Sequence, residues 1–371
     1  MNKLIIGSVF LLFCNAAQAQ PKSPIDSQAT PLTRALFNNL DSIAQKQILF
    51  GHQSATSYGH AWRDEPNRSD VKDVVGAHPA VIGADFGGLT SADEKQVKAS
   101  MEEVRQTLQD TYRRGGVVTI CWHSNNPVND GTFYYERNPV AAVSQILPGA
   151  EFHDKYKTYL DLIAEVARTS VTDEGECIPF IFRPFHEFDG DWFWWGKNHC
   201  TCEQFVKLWR FTVDYLRYKQ QVHSILYAFS PDCRFTTPDE FLERYPGDDY
   251  VDMLGIDDYW DFRPDGANDP SLALVKLKIV SRLAQEKGKL AAFTETGLEG
   301  VKQKDWYTKV LLPILKDEEL KLAYVLVWRN AHDIEHHYYT PYPGHPATDD
   351  FIKFYEDKRT LFEDGLPAMY K

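Results

Sequence analysis

Two glutamates lie at the ends of short apolar runs, and they are the residues with which chemistry could begin. Glu187 ends the run 183–187, and Glu295 lies within the run 293–297. A buried carboxyl group is costly unless it is paired, hydrogen-bonded or functional. Two such groups together are what cleavage of a glycosidic bond requires, because one must donate a proton while the other stays ionised.

Each glutamate also has an ordinary interpretation. Glu187 could be a solvated strand end or an ion-pair partner of Arg183, and a lone Thr-Glu-Thr around Glu295 is a weak signal. A carboxyl separation of about 5–5.5 Å would predict retention of configuration and one of about 6.5–9.5 Å inversion. The order of the residues does not supply that distance.

Four consecutive aromatic residues follow Glu187 closely, within the segment 189–196. Such a run between glycines fits neither a helix nor an ordinary exposed loop. We expect Phe193 and Trp194 to be packed as a plug on the fold. We expect Trp192 to offer its indole face to a sugar, since flat aromatic rings suit apolar sugar faces.

The elements that must position these residues alternate along the chain. Nearly continuous apolarity predicts strands buried on both faces, at 48–53, 80–86, 117–123, 179–187, 224–230, 251–259, 290–297 and 323–330. Helical spacing predicts helices between them, at 93–114, 155–168, 201–220 and 272–287. Eight strands alternating with helices predict an α/β fold, a single-domain (β/α)₈ TIM barrel. A doubly wound open sheet is the alternative.

The predicted strands share a second property, which is that nearly all of them end in polar or aromatic residues. In a barrel these ends meet on one face, where active sites form. Ordinary turns use Gly, Asn and Ser, whereas these ends include His52, Asp85, His123 and Tyr259. The pattern therefore favours a functional face at the carboxyl ends of the strands.

A family resemblance rests on several of these runs. The segment 183–196 resembles the corresponding segment of glycoside hydrolase family 26. Four shorter segments share the resemblance, at 51–53, 122–123, 294–295 and 327–330. Its most specific element is Arg-Pro-x-His-Glu followed by the aromatic loop, and the likeness runs from about residue 35 to the C-terminus. The resemblance implies a (β/α)₈ barrel of the large retaining clan, in a family made up mainly of β-mannanases.

The same resemblance implies roles for individual residues. Glu187 matches the acid/base and Glu295 the nucleophile, and Tyr259 resembles the tyrosine that hydrogen-bonds that nucleophile. The implied substrate-binding residues are His123, His186, Trp192, Tyr259, Trp328 and Arg329. His52 and Asp85 match less specifically and are expected on the pocket floor. The implied reaction is hydrolysis of β-1,4-mannosidic linkages in galactomannan, glucomannan and manno-oligosaccharides through a covalent glycosyl-enzyme.

Three other functions stay open. A β-1,3-1,4-glucanase or xylanase of the same clan would use identical chemistry. A zinc-dependent barrel hydrolase would draw on His52, His123, His186 and Asp85, but no ligand spacing supports it, so we expect no metal and no cofactor. A sugar-binding barrel without catalysis is disfavoured by the presence of both glutamates.

The net charge and the hydrophobicity of the chain limit the classes of partner that it can bind. The formal net charge is −13, and an acidic surface repels nucleic acid and anionic lipid. A neutral polysaccharide or oligosaccharide is therefore the expected partner. Beyond the first residues no run approaches the roughly 18 apolar residues of a membrane helix, so we expect no membrane insertion. The oligomeric state is left open.

The first 19 residues have the pattern of a secretory signal peptide. Lys3 precedes an apolar run at 4–13, and Ala17-Gln18-Ala19 is typical of a cleavage site. We expect a leader segment at 20–34, a catalytic domain at 35–371, and export to the periplasm or beyond. Lipid attachment at Cys14 is the rival, disfavoured by the bulky Phe13.

Two further questions follow from export and from the loops. Five cysteines remain after the signal, which allows one or two disulfides in an exported protein and leaves at least one free thiol.

The insertions 131–142 and 332–348 are candidates for blocking one end of the cleft. Cleavage within chains or from chain ends stays open for that reason.

Overall fold

The computed structural model describes residues 22–371, and its central feature is a closed barrel of parallel strands. Consecutive strands pair in chain order, and the last pairs with the first. The strands are β1 (Ile48–Gln53), β2 (Val81–Asp85), β3 (Val117–Cys121), β4 (Phe180–Arg183), β5 (Ile225–Phe229), β6 (Met253–Asp258), β7 (Leu290–Thr296) and β8 (Tyr324–Val327). The predicted (β/α)₈ barrel is confirmed. The predicted signal peptide and Cys14 lie outside the described residues.

Helices surround this barrel. They are α1 (Pro31–Ala44), α2 (Asp70–Val75), α3 (Glu94–Arg113), α4 (Val143–Ile146), α5 (His153–Thr169), α6 (Cys202–Asp214), α7 (Pro238–Phe241), α8 (Pro270–Glu286), α9 (Leu312–Leu315) and α10 (Thr348–Tyr355). Short strands at Tyr58–Gly59 and Trp62–Arg63 pair with each other, and Thr360–Leu361 adds to the start of β1. None of the helices within 22–371 has the length and apolarity that crossing a bilayer requires.

The helix boundaries have local causes. The Thr201 hydroxyl accepts from the Gln204 amide, and the Gln204 side chain accepts in return from the Thr201 amide, which caps α6. Asp93 caps α3, and Pro270 occupies the first turn of α8. The helix predicted over 201–220 is α-helical only to Asp214 and then continues as a π-helical turn at Tyr215–Lys219.

Alternation along the strands produces two apolar cores. Every strand contributes at least one inward residue to the inner core, among them Leu49, Val81, Val117, Ile181, Leu226, Met253, Leu290 and Tyr324. Their neighbours, such as Phe50 and Phe182, face the helices and belong to the outer core. This two-sided burial is why the strands are apolar at nearly every position.

The prediction that Glu187 closes a strand was wrong. Strand β4 ends at Arg183, and the chain leaves the sheet at Pro184, which has no N–H to donate to a neighbouring strand. Phe185 and Glu187 then have left-handed backbone angles, with φ of 52° and 54°. Glu187 therefore lies in a tight turn after β4.

Helix α1 closes the amino-terminal end of the barrel. Leu36, Phe37 and Leu40 are fully buried and belong to the inner core with the eight strand residues. The helix begins at Pro31, within the segment predicted as a leader, and Thr30 caps it. Its apolar face thus seals the end of the barrel opposite the predicted functional face.

The five cysteines of the described residues are all free thiols: Cys121, Cys177, Cys200, Cys202 and Cys233. Three of them are buried, and Cys202 is exposed. The structure therefore contains no disulfide among residues 22–371.

Replacing Phe37 by alanine should remove a large side chain from the sealed end of the barrel. We expect a loss of about 3–5 kcal/mol in the free energy of unfolding, because the cavity is enclosed by the inner core. Denaturant titration measures this loss. Asn38→Ala, an exposed change on the same helix, should cost no more than about 0.5 kcal/mol. Equal unfolding midpoints for the two variants would show that α1 does not seal the barrel.

Candidate active site

A buried arginine organises the mouth of the barrel. Arg183, at the end of β4, donates from Nη1 to Oδ2 of Asp257 at 2.6 Å and to Oγ of Ser230 at 3.1 Å. Its Nη2 donates to Oε1 of Glu295. All three charged groups are at most 4% exposed. The ion pair considered for Glu187 from the sequence is therefore made with Asp257 and Glu295 instead.

Glu295 is aimed by an irregularity in β7. Ile256 pairs with Phe293 but Asp257 pairs with Glu295, so one extra residue lies in β7 at this point. The register with β8 shifts over the same stretch. A bulge of this kind re-aims the side chains after it, and here Glu295 reaches Arg183. Gly297 follows at φ 134°, where a β-carbon would lie 2.5 Å from the Tyr339 ring.

A second donor holds the other oxygen of Glu295. The Tyr259 hydroxyl, which follows β6, donates to Oε2 of Glu295 at 2.9 Å. Both carboxylate oxygens therefore accept hydrogen bonds, one of them from a cation. Such contacts restrict the side chain to one orientation.

Glu187 has a different environment. Its amide donates to the carbonyl of Ser230 at 2.9 Å, and its Oε2 accepts from the indole Nε1 of Trp192 at 2.6 Å. Burial raises the pKa of Glu187 well above its ordinary value, and the negative charges of Asp257, Asp232 and Glu295 raise it further. The Trp192 hydrogen bond acts in the opposite direction. Glu187 is thus suited to hold a proton near neutral pH.

Two histidines lie side by side at the same mouth. Nε2 of His186 and Nε2 of His123 are 3.2 Å apart, and Nδ1 of His123 lies 2.7 Å from Oδ2 of Asp85. Burial lowers the pKa of His186 well below its ordinary value, and the charge of Arg183 adds to that effect. Burial alone would raise the pKa of Asp85, but His123 lowers it below its ordinary value.

The prediction that Phe193 and Trp194 of the aromatic loop pack as a plug is confirmed. Phe193 and Trp194 are buried, and Nε1 of Trp194 donates to the Ser124 carbonyl at 2.8 Å. Trp192 is half-buried beside Glu187, and the Arg234 guanidinium lies 5.0 Å from its ring centroid. One part of the loop is therefore core, while Trp192 is accessible from the cleft.

A cleft of about 920 Å³ opens beside these groups. Its lining includes Glu187, Trp192, Asp232, Tyr259 and Trp260. Tyr259 therefore faces the cleft that contains Glu187 and also hydrogen-bonds Glu295. Tyr259 thus links the cleft of Glu187, which follows β4, to Glu295 in β7.

The remaining predicted residues lie around this site at different depths. Trp328 follows β8, with its ring centroid 5.9 Å from that of His123. Arg329 is half-buried, 5.8 Å from the ring of Tyr58. His52 is buried within β1, where burial lowers its pKa to about 3.

Both predicted insertions pack against the site. In 131–142, the Tyr135 amide donates to the Trp192 carbonyl at 2.7 Å, which ties this loop to the aromatic loop. In 332–348, the Tyr339 amide donates to Oδ1 of Asn330 at 2.8 Å, and the Tyr339 ring lies 5.8 Å from that of Tyr259. Their effect on the ends of the cleft stays a prediction.

Comparisons with known proteins identify the relatives of this barrel. The family model described as Glycosyl hydrolase family 26 matches residues 25–308. The chain belongs to glycosyl hydrolase family 26. A mannan endo-1,4-beta-mannosidase of Bifidobacterium adolescentis is 34% identical to it, over 91% of this chain. The chain spans 35% of the length of that relative.

Solved structures of the family superimpose closely on this chain. A GH26 beta-mannanase from Bacteroides ovatus is 40% identical, with a TM-score of 0.85 over 92% of this chain and 98% of its own. GH26C from Muricauda sp. is 37% identical, with a TM-score of 0.88 over 94% of this chain and 96% of its own. Both agree with the barrel described above.

Three clusters of side chains whose atoms could ligate a metal ion occur among residues 22–371 of this family 26 chain. They are Asp85 with Cys121 and His123, His186 with Asp257 and Glu295, and Cys233 with Asp258 and Asp261. The four residues of the zinc set considered from the sequence do not form one of these clusters: His52 is in none of them, and the neighbouring His123 and His186 belong to different ones. Arg183 already provides a positive charge between Asp257 and Glu295.

Sequence reasoning assigned no site role to three residues that the structure places there. Arg183, paired with Asp257, holds the Glu295 carboxylate, and Asp232 places a charge near Glu187. An arginine at an inward position of an apolar strand is a signal that could have been used, because such a cation requires buried acidic partners. Asp232 carried no such signal, since its approach to Glu187 depends on how two loops meet.

The pKa of Glu187 should be adjustable in both directions by its neighbours. Trp192→Phe removes the N–H that stabilises the carboxylate, so the pKa should rise. The alkaline limb of kcat/KM, where Glu187 is expected to lose its proton, should then move to higher pH. Asp232→Asn removes a negative charge, so the pKa should fall and the alkaline limb should move to lower pH. The pH dependence of oligosaccharide cleavage measures both shifts.

Asp239→Asn is the matched control, because it removes one negative charge from an exposed position in the same loop region. It should leave the alkaline limb where it is in the wild type. If the Trp192 and Asp232 variants moved that limb in the same direction, the group titrating there would not be Glu187.

Proposed function

We propose that this chain is a retaining β-glycoside hydrolase of the mannan endo-1,4-β-mannosidase type. It would cleave β-1,4-mannosidic linkages in mannans, including galactomannan, glucomannan and manno-oligosaccharides, by double displacement. One observation carries the proposal: Tyr259 lines the cleft of Glu187 while donating to Glu295. A carboxyl group with a raised pKa, Glu187, and a carboxyl group held by Arg183 and Tyr259, Glu295, therefore border one site, as glycoside hydrolysis requires.

In the first step, an oxygen of Glu295 attacks the anomeric carbon and the glycosidic bond breaks. The proton of Glu187 passes to the leaving oxygen, so that the departing sugar leaves as an alcohol. The raised pKa of Glu187 supports this role, because the acid must still be protonated when the substrate binds. A covalent glycosyl-enzyme on Glu295 results.

In the second step, water attacks the same carbon from the face that the leaving group vacated. Glu187, now a carboxylate, takes a proton from that water, and the bond to Glu295 breaks. The two inversions restore the original configuration. Arg183 and Tyr259 hold the carboxylate of Glu295 in one position during both steps.

The other predicted residues would bind the sugars. Trp192 is placed for the sugar on the leaving-group side, since its indole N–H reaches the acid/base. Trp328, with His123 and His186, would hold the sugar at the cleavage site, and Arg329 would contact a neighbouring one. A neutral polysaccharide agrees with the net charge of −13. The partner is therefore proposed to be mannan itself or its oligosaccharides.

The names of the relatives support mannan as the substrate. The Bifidobacterium adolescentis relative is a mannan endo-1,4-beta-mannosidase, and the Bacteroides ovatus structure is of a beta-mannanase. A panel of mannan, xylan and mixed-linkage β-glucan discriminates this substrate from those of the rival glucanase and xylanase. Products from defined manno-oligosaccharides then show whether cleavage is internal or from an end.

Substitution of the two glutamates should separate their roles. Glu295→Ala should abolish hydrolysis of every substrate, because no nucleophile remains. Glu187→Ala should lower kcat on manno-oligosaccharides by about 10²- to 10⁴-fold, the usual contribution of a general acid. It should spare the first step on nitrophenyl β-mannosides, whose leaving group needs no proton. Steady-state and burst kinetics measure these rates.

Added azide gives the stereochemical readout. In Glu187→Ala, azide should displace Glu295 from the glycosyl-enzyme and give a β-mannosyl azide, whereas in Glu295→Ala it could only give the α-anomer. Glu318→Ala, an exposed carboxylate change, should behave as wild type. Full hydrolysis by Glu295→Ala would refute the assignment.

The site of action follows from the N-terminal pattern, and we propose export through cleavage after Ala19. The basic start, the apolar run and Ala17-Gln18-Ala19 support it. The mature protein recovered outside the inner membrane should begin at Gln20, as N-terminal sequencing would show. Lipidation at Cys14 would instead give a membrane-bound protein with a blocked N-terminus. An uncleaved protein starting at Met1 would contradict both.

A further inference from the structure

The nine tryptophans of the chain divide sharply by exposure. Six are buried, and only three are accessible: Trp192, Trp328 and Trp260. The first two are the proposed sugar platforms of the site. Trp260 is the most exposed of the three, at 47%. An exposed tryptophan within a cleft is informative because such a large apolar surface is normally buried or used for binding.

Trp260 lies on the same cleft as the acid/base. The cavity of about 920 Å³ is lined by Glu187, Trp192, Trp260 and Arg263, but not by Trp328 or His123. Because Glu187 protonates the leaving oxygen, sugars in this cavity belong to the leaving-group side. A volume near the upper limit of ligand-sized pockets, about 300–1,000 Å³, has room for more than one pyranose ring.

The exposure of Trp260 is not a consequence of a loose loop. Its carbonyl accepts from the Ala267 amide at 2.9 Å, and the amides of Phe262 and Arg263 both donate to the Tyr259 carbonyl at 3.2 Å. The next residue, Asp261, is buried and accepts from Nζ of Lys276 at 2.6 Å. The backbone around Trp260 is therefore fixed before any ligand binds, which reduces the entropic cost of binding.

Trp260 repeats the arrangement seen at Trp192. The Arg263 guanidinium lies 4.8 Å from the Trp260 ring centroid, as that of Arg234 lies 5.0 Å from Trp192. Each pair offers an apolar face beside several N–H donors. That combination matches a pyranose, which has apolar faces and an equatorial rim of hydroxyl groups. Leu272, which is 41% exposed, extends the apolar lining of the same cleft.

We propose that Trp260, with Arg263, forms a second leaving-group subsite, which binds the pyranose that follows the one on Trp192. The inference rests on the proposed function, and it extends the leaving-group side of the cleft to at least two sugars. Substrates with a longer leaving group are then bound more productively than those with a short one.

The test compares two substrates that differ in the length of the leaving group. A nitrophenyl β-mannobioside places only its aryl ring beyond the cleavage point, whereas β-1,4-linked mannohexaose can place two or more sugars there. Trp260→Ala should lower kcat/KM on mannohexaose by roughly tenfold, the scale of one lost aromatic contact. The loss should be at least about fivefold greater than on the aryl substrate. Trp260→Phe should recover part of it.

A second measurement uses mannohexaose labelled at its reducing end. Without the subsite, fewer sugars are held on the leaving-group side, so cleavage by Trp260→Ala should move toward the labelled end. Tyr218→Ala is the matched control, since Tyr218 is 56% exposed, has an arginine 5.0 Å from its ring and lies outside the cleft lining. It should change neither rates nor product pattern.

The outcomes separate the subsite from the proposed function. Equal losses on the two substrates, or no loss on either, with an active wild-type protein would overturn the subsite alone. A wild-type protein that cleaves neither substrate would overturn the proposed function, and the subsite with it. Thermal unfolding of the exposed-site variants should match the wild type, which excludes misfolding as the cause of a loss.

Discussion

The ion pairs of Arg183 are the interaction on which the site depends. A buried cation must be paired, and Arg183 is paired twice, with Asp257 from β6 and with Glu295 from β7. It also reaches the hydroxyl of Ser230, whose carbonyl accepts the amide of Glu187. One guanidinium therefore connects the neighbourhoods of both glutamates. Its burial in the barrel leaves these groups few alternative partners, and this restricts their geometry.

The same interaction explains why two identical side chains differ chemically. Glu295 accepts from Arg183 and Tyr259, which stabilises its charge. The Glu187 carboxyl accepts from the indole N–H of Trp192, and three neighbouring carboxylates act on it. Within residues 22–371, no cation offsets the cost of removing the Glu187 carboxylate from water, and burial therefore raises the pKa of Glu187. The different environments of the two glutamates follow from where the cation lies, and the proposed roles of acid and nucleophile rest on that difference.

Much of the architecture could be predicted without coordinates. The predicted eight strands, the barrel and the family membership are confirmed. They could be predicted because burial on both faces makes each strand apolar and because local capping residues mark the helix starts. Strand ends were less accurate, since β4 stops at Arg183 and not at Glu187. The sequence does not show that Glu187 needs a left-handed backbone, which the surrounding loop imposes.

The sequence by itself determined the fold and the family, and it pointed to the two glutamates, since each depends on local residue pattern or on a contiguous motif. Only the tertiary structure decided which groups meet: Arg183 with Glu295, Asp232 with Glu187, and Trp260 with the cleft of Glu187. These contacts join residues from different strands and loops. Their distances depend on barrel closure, on the bulge in β7 and on loop packing, which no local pattern encodes.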